Sequence, residues 1–222
     1  MIKKLIVLPF LMVLSCDSIH KISAIEREKI ISELNYIGEI DQKYAGIPPK
    51  ELAEKYGKEK AWKVFEVKRD SIGFNNQQRI KTLFKKYGYL GFDQVGKENA
   101  PKFWLPIQHA DNDVEFQRKM LKKLAKEIQK NNANKSNYAL LQDRVAINLN
   151  KKQRFGTQVT YNANGQAVPK NGLVDSVNID RFRLEYELSS FKEYYNEMTK
   201  SHFEMNKDYF LKQGITKPKL YQ

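Results

Sequence analysis

The chain contains a single cysteine, Cys16, directly behind an apolar run from Leu5 to Leu14 that no charged or polar residue interrupts. One thiol cannot form an intramolecular disulfide, nor can it supply the sulfur ligands of a cysteine-based zinc or iron–sulfur site. Whatever this chain folds into must therefore be held by a packed core. The apolar run is too short to cross a bilayer, because ten residues rising about 1.5 Å each cover about 15 Å, half of a hydrocarbon core. With Lys3 and Lys4 in front of it, the run has the layout of a secretory signal segment. The rest of the chain has the material for a core. Apolar residues make up 41% and aromatics 12%, while charged residues at 29% keep the surface wet. That balance excludes wholesale disorder and a polytopic membrane protein.

The run closes on Val13-Leu14-Ser15-Cys16, which resembles the bacterial lipobox: an aliphatic residue, a small residue, then a cysteine that is diacylated and becomes the new N-terminus. The resemblance implies a lipoprotein signal peptide over 1–15, a lipidated Cys16 with a tether over 16–24, and one mainly helical domain over 25–222. It also implies attachment through Cys16 to a membrane of the bacterial cell envelope, facing the periplasm or the exterior. The alternative is a plain secretory signal with a chance cysteine.

A net charge of +13 invites a nucleic-acid reading, but 31 of the 39 basic residues are lysines and only 8 are arginines. Most are expected on helix surfaces, as are Lys119, Lys122, Lys123, Lys126 and Lys130. There is no recognition-helix motif, Arg-rich arm or zinc finger to turn charge into base reading. No nucleic-acid partner is expected; anionic lipid suits the charge better.

Apolar spacing predicts a mostly α chain with one small antiparallel β element, an α+β arrangement of a helical domain plus one β-hairpin. Ile25–Tyr44 reads as an amphipathic helix on Ile30, Ile31, Leu34, Ile37 and Ile40. A second helix starts at Pro49 and runs through Phe65, with Gly57 able to break it; a third covers about Asn76 to Tyr87. Gly91–Gly96 reads as a loop near the site. Pro101–His109, Asp113-capped Phe116–Ile128 and Ser136-capped Tyr138–Leu149 follow as helices. Then the period changes to 2: Gln153–Tyr161 alternates as a strand, Asn162–Gly165 turns, and Gln166–Val168 returns. Ser190 and Glu193 are spaced as a capping box for a last helix from Phe191 to about Leu211.

Several blocks stand in a fixed order between Asn75 and Arg183. They are Tyr87-Gly88-Tyr89 with Val95-Gly96, Gln108-His109-Ala110-Asp111 with Phe116-Gln117, Asp143-Arg144-Val145, and Gln153-Arg154-Phe155-Gly156-Thr157-Gln158. Together with Asn75, Arg181 and Arg183 they make the chain resemble an uncharacterised bacterial family, domain of unknown function 6624, over a core of about 75–200. Leu90 stands where that family often has Pro, and Phe155 where it usually has Tyr, so that hydroxyl is missing here. The family carries no established activity to transfer.

The residues themselves nominate a polar site. His109 is the one histidine placed within the core blocks; it can be a hydrogen-bonded structural residue, an acid/base or ligand donor oriented by Asp143, or one metal ligand beside Asp111, Asp113 and Asp143. With one imidazole and no thiolate, no metal and no cofactor is expected. Arg144, Arg154, Arg181 and Arg183 are half of the arginines and cluster where a planar fork could hold a carboxylate or phosphate; internal pairing with Asp143 or Asp180 is the alternative. The ligand-binding candidates are Gln108, His109, Asp111, Asp143, Arg144, Gln153, Arg154, Thr157, Gln158 and Arg181, and the catalytic candidates His109, Asp143 and Arg144. Two readings stay open. One is a tethered protein that binds a small anionic or amide-bearing ligand, or uses the cluster structurally. The other is a hydrolase or transferase acting on an envelope component with His109 as acid/base. No phosphate loop, Gly-x-Ser-x-Gly elbow or His-Glu-x-x-His decides for an enzyme.

Overall fold

In the computed structural model the described residues are 22–222; the signal segment and Cys16 lie outside them. Ser23 opens α1 (Ala24–Lys43), its hydroxyl accepting from the Glu26 N–H while Glu26 reaches back to the Ser23 N–H. This reciprocal cap satisfies two amides that have no partner within the helix. Ile30, Leu34 and Ile37 bury one stripe of α1. Gly57, at φ +77°, separates the short α2 (Lys50–Tyr56) from α3 (Lys58–Tyr87). The second and third helices expected from the sequence thus fuse into one 30-residue rod after Gly57. The stretch between Phe65 and Asn76 has no proline to stop it, and Gly73 weakens a helix interior by only about 1 kcal/mol. α3 packs antiparallel to α1: Glu26 reaches Lys86, Glu33 pairs with Arg79, and Tyr44 meets Phe65.

The remaining helices close the core. The Gly91–Gly96 loop is instead a one-turn helix, α4 (Phe92–Val95), whose first N–H groups bond to Asn132. It braces the turn between α6 (Val114–Gln129) and α7 (Lys135–Asn148) and does not line the site. α5 (Ala100–Gln108) keeps Pro106 inside its last turn, and Asp113 caps α6 through the Phe116 N–H. α7 starts earlier than expected, with Asn134 and not Ser136 at its cap position. The core joins Leu34 and Ile37 of α1, Ile80 of α3, Phe103 and Ile107 of α5, Met120 and Leu124 of α6 and Leu141 of α7. Phe116, Leu121, Leu124, Leu140, Leu141, Val145 and Ile147, expected inward on α6 and α7, are all buried or partly buried. Among the described residues, no helix is long and apolar enough to cross a membrane.

Beyond α7 the expected strand Gln153–Tyr161 shrinks to β1 (Val159–Tyr161), paired antiparallel with β2 (Ala167–Pro169) in the register Thr160 to Val168. Residues 154–158 are irregular because side chains claim the amides of 154, 155, 157 and 158. The turn needs Gly165: its φ is +72°, and a Cβ there would lie 2.4 Å from the Phe210 ring. After α8 (Ile179–Glu185), the last expected helix is split at Asn206 into α9 (Phe191–Met205) and α10 (Lys207–Lys212), and Ser190 and Glu193 form the capping box. Of the described residues 64% are helical, with one two-stranded sheet, mostly α plus a small hairpin.

Candidate functional site

The sequence blocks meet, but they divide into two different kinds of polar structure. The first is a staple around Asp143. The fully buried carboxylate, one turn after Ala139 on α7, accepts the N–H groups of Arg154, Phe155 and Thr157 and the Thr157 hydroxyl. Burial pushes its pKa up and the four donors pull it back, with burial the larger influence. Gln153 completes the loop: its amide donates to the Gln158 and Lys170 carbonyls and accepts from the Gln158 N–H. Arg183, also buried, donates to the carbonyls of Phe155, Gly156 and Ser189 from behind. These groups hold backbone. Asp143, Gln153 and Thr157 have their capacity used up internally. Phe155, fully buried, packs its ring 4.8 Å from that of Tyr186, which leaves no need for a hydroxyl.

The second is a clamp. Arg144 grips Asp111 with Nε on Oδ1 at 2.8 Å and a terminal nitrogen on Oδ2, and its other terminal nitrogen reaches Gln158 Oε1 at 3.1 Å. Asn148, one turn along α7, adds a bond to Asp111 at 2.7 Å and another to Gln117. Burial would raise the Asp111 carboxyl, but Arg144, Asn148 and Gln117 together hold it below its ordinary value. Internal pairing, one of the two readings of the arginines, is therefore realised at Arg144, though with Asp111 and not Asp143. A carboxylate with a lowered pKa stabilises the fold above the ordinary carboxylate range, and that contribution is lost as pH falls through the lowered value. Arg144→Met should consequently cost stability at pH 7 and less at pH 3. Urea midpoints at the two pH values measure this; an unchanged gap between wild type and variant would refute it.

The side chains of Arg154 and Arg181 stand apart from both. Each is exposed and lies over the Phe182 ring, at 4.9 and 5.2 Å.

His109 follows neither expectation for its partner. It is the residue that ends α5, and its side chain is 45% exposed. Asp143 does not orient it, since that carboxylate faces the 154–157 amides. The carboxylate behind His109 is Asp41, with Oδ1 3.6 Å from Nδ1 and only 8% exposure. The other Asp41 oxygen is buried without a hydrogen-bond partner, as is Gln108 Oε1. Asp41 continues the Ile30–Leu34–Ile37 stripe of α1. An acidic residue at the next buried position of an apolar stripe was the signal that could have revealed it.

His109 and Asp41 stand in the wall of a cleft of about 650 Å³ between the end of α1, the middle of α3 and the α5–α6 loop. Tyr44, Arg69, Phe74 and Asn112 also line it, and the Asp111–Arg144 clamp closes one side. No lysine lines it, in a chain with 31 of them. Among the described residues no three His, Cys, Asp or Glu side chains are grouped to hold a metal ion. What the cleft offers is a half-exposed imidazole backed by a buried carboxylate, beside neutralised charge and aromatic surface.

The model of a family of unknown function (DUF6624) matches residues 50–204. The match extends further toward the N-terminus than the 75–200 core and covers the staple, the clamp and His109, while Asp41 precedes it. No curated protein and no solved structure matches.

Proposed function

The chain belongs to the DUF6624 family, and from that premise we propose an envelope-tethered protein whose cleft binds a small polar ligand at His109. The tether is the acylated Cys16. The cleft is the recognition site, and Asp41 holds the imidazole toward the ligand. The observation that carries this reading is the partnerless buried oxygen of Asp41 behind a half-exposed His109. A buried polar atom left unpaired costs about 1–3 kcal/mol, a cost that persists where a ligand, a water or an altered geometry in use relieves it. Because the Arg144 charge is already paired with Asp111 and three of its five N–H groups are spent on Asp111 and Gln158, the amide-bearing ligand fits better than the anionic one. An imidazole so placed also suits proton transfer, which keeps the hydrolase or transferase reading attached to the same residue.

The test is a side-chain NMR titration of the full mature chain with N-acetylglucosamine and with acetamide. Either should shift the His109 ring resonances, and His109→Ala should abolish binding, at least tenfold in Kd, while moving the melting temperature by less than about 2 °C. Absence of any His109 response to both, at millimolar ligand, refutes the site.

A further inference from the structure

The length of the tether limits which end of the molecule can meet a membrane. From Cys16 to Ile22 the chain advances six residues, at most about 21 Å when fully extended. Ile22 packs against the core just ahead of the Ser23 cap. An acylated Cys16 therefore holds the start of α1 close to the bilayer surface.

Three helices share that end. Glu26 meets Lys86 and Glu33 meets Arg79, so the start of α1 lies beside the last turn of α3. Lys81 bonds Asp113 at 2.7 Å, and Lys119 lies 5.0 Å over the Phe84 ring. α3 and α6 thus advance in the same direction, and the Asp93 N–H, donating to Asn132 at 2.8 Å, ties the chain beyond α3 to the turn beyond α6. The sequence makes this end basic. α3 has no acid after Asp70, and Lys119 to Lys130 holds five lysines against the single acid Glu127. Lys85, Lys86, Lys122, Lys123, Lys126 and Lys130 are all exposed. Among the described residues two of the six are ion-paired, Lys86 with Glu26 and Lys130 with Glu127. Lys122 and Lys126 stand four apart on α6, a like-charge spacing that helices disfavour, and neither has an acidic partner. At the same end Ile25, in the first turn of α1, is 67% exposed.

Resting on the proposed acylation of Cys16, we infer that this basic end is a docking surface for an anionic lipid bilayer. Lysines at headgroup height are attracted to negative lipid, and Ile25 can enter the interface. The attraction fades within a Debye length, about 8 Å at physiological salt. It orients a protein that the acyl chains hold and does not anchor one without them. Asp41 follows Ala24 by 17 residues, about 26 Å along α1, so docking by this end keeps the His109 cleft remote from the lipid. A nucleic acid suits the surface less well, since the six are point charges with no guanidinium fork among them to read a base edge.

The test sediments the mature chain carrying Cys16→Ser, which has no acyl chain, with vesicles of phosphatidylcholine alone and with vesicles containing about 30% phosphatidylglycerol. Affinity for the anionic vesicles should be at least about tenfold higher at low salt, and the difference should vanish at about 0.5 M salt. Lys122→Glu, Lys123→Glu and Lys126→Glu together should weaken anionic binding at least about tenfold. The same charge change at exposed positions beyond α7, Lys151→Glu, Lys152→Glu and Lys170→Glu, should weaken it less than about twofold. Lys85→Glu with Lys126→Glu serves if the α6 triple variant fails to fold. Equal affinity for the two kinds of vesicle, or equal losses from the two triple variants, overturns the surface and leaves the acylation of Cys16 standing. A short DNA duplex bound more tightly than the anionic vesicles overturns the lipid assignment. Absence of acyl label on wild-type Cys16 overturns the premise instead, whatever the vesicles bind.

Discussion

Asp143→Ala is expected to lower the stability of the domain by about 3–5 kcal/mol, a melting-temperature loss of about 10 °C for a chain of this size. The substitution removes one acceptor group and strands four donors at once: the N–H groups of Arg154, Phe155 and Thr157 and the Thr157 hydroxyl. Each would cost about 1–3 kcal/mol if it stayed dry, and water entering the vacated space recovers part of the sum. Asp143→Asn should be nearly as damaging, since its amide NH₂ would face N–H groups that need an acceptor. The charged carboxylate is costly to bury, which is why its pKa is raised, yet only acceptor oxygens fit among four donors. Thermal unfolding with near-UV circular dichroism measures the loss. A variant melting within 2 °C of wild type would show that the 153–158 loop is held by something else.

Cys16→Ala carries the other large effect, complete release from membranes. On the proposed anchoring, two or more acyl chains hold the protein, each buried methylene contributing about 0.8 kcal/mol. No described helix is long and apolar enough to span a bilayer. The variant should lose metabolic labelling with an alkyne fatty acid and move from the membrane pellet to the soluble fraction. The domain's melting temperature should be unchanged, because among the described residues packing on the core begins at Ile22, after Cys16. Wild-type protein that stays in the pellet without label would refute lipidation.

These two results bear on different kinds of information in the chain. Local patterns were read correctly where one short-range cause sufficed. The Ser190 and Glu193 spacing produced its capping box, Asp113 its cap, and the α6 and α7 stripes their inward faces. The family resemblance was legible in the Gln108–Asp111, Asp143–Val145 and Gln153–Gln158 blocks, within the matched 50–204. The spacing of 153–161 misled, because alternation describes side-chain direction and not where backbone amides go. Three of those amides go to Asp143, so most of the strand never forms.

The sequence alone determined that this is a mainly helical domain with a polar cluster drawn inward by apolar neighbours, since periodicity and burial are properties of each segment by itself. It could not tell a clamp from a ligand site. Asp111, not Asp143, takes the Arg144 fork, and Asp41, 68 positions before His109, supplies the carboxylate behind the imidazole. Which carboxylate meets which base depends on how α1, α5 and α7 pack, over sequence separations that no local spacing encodes. Only the tertiary structure decided that Arg144 is satisfied and that His109 faces a cleft with a partnerless oxygen behind it.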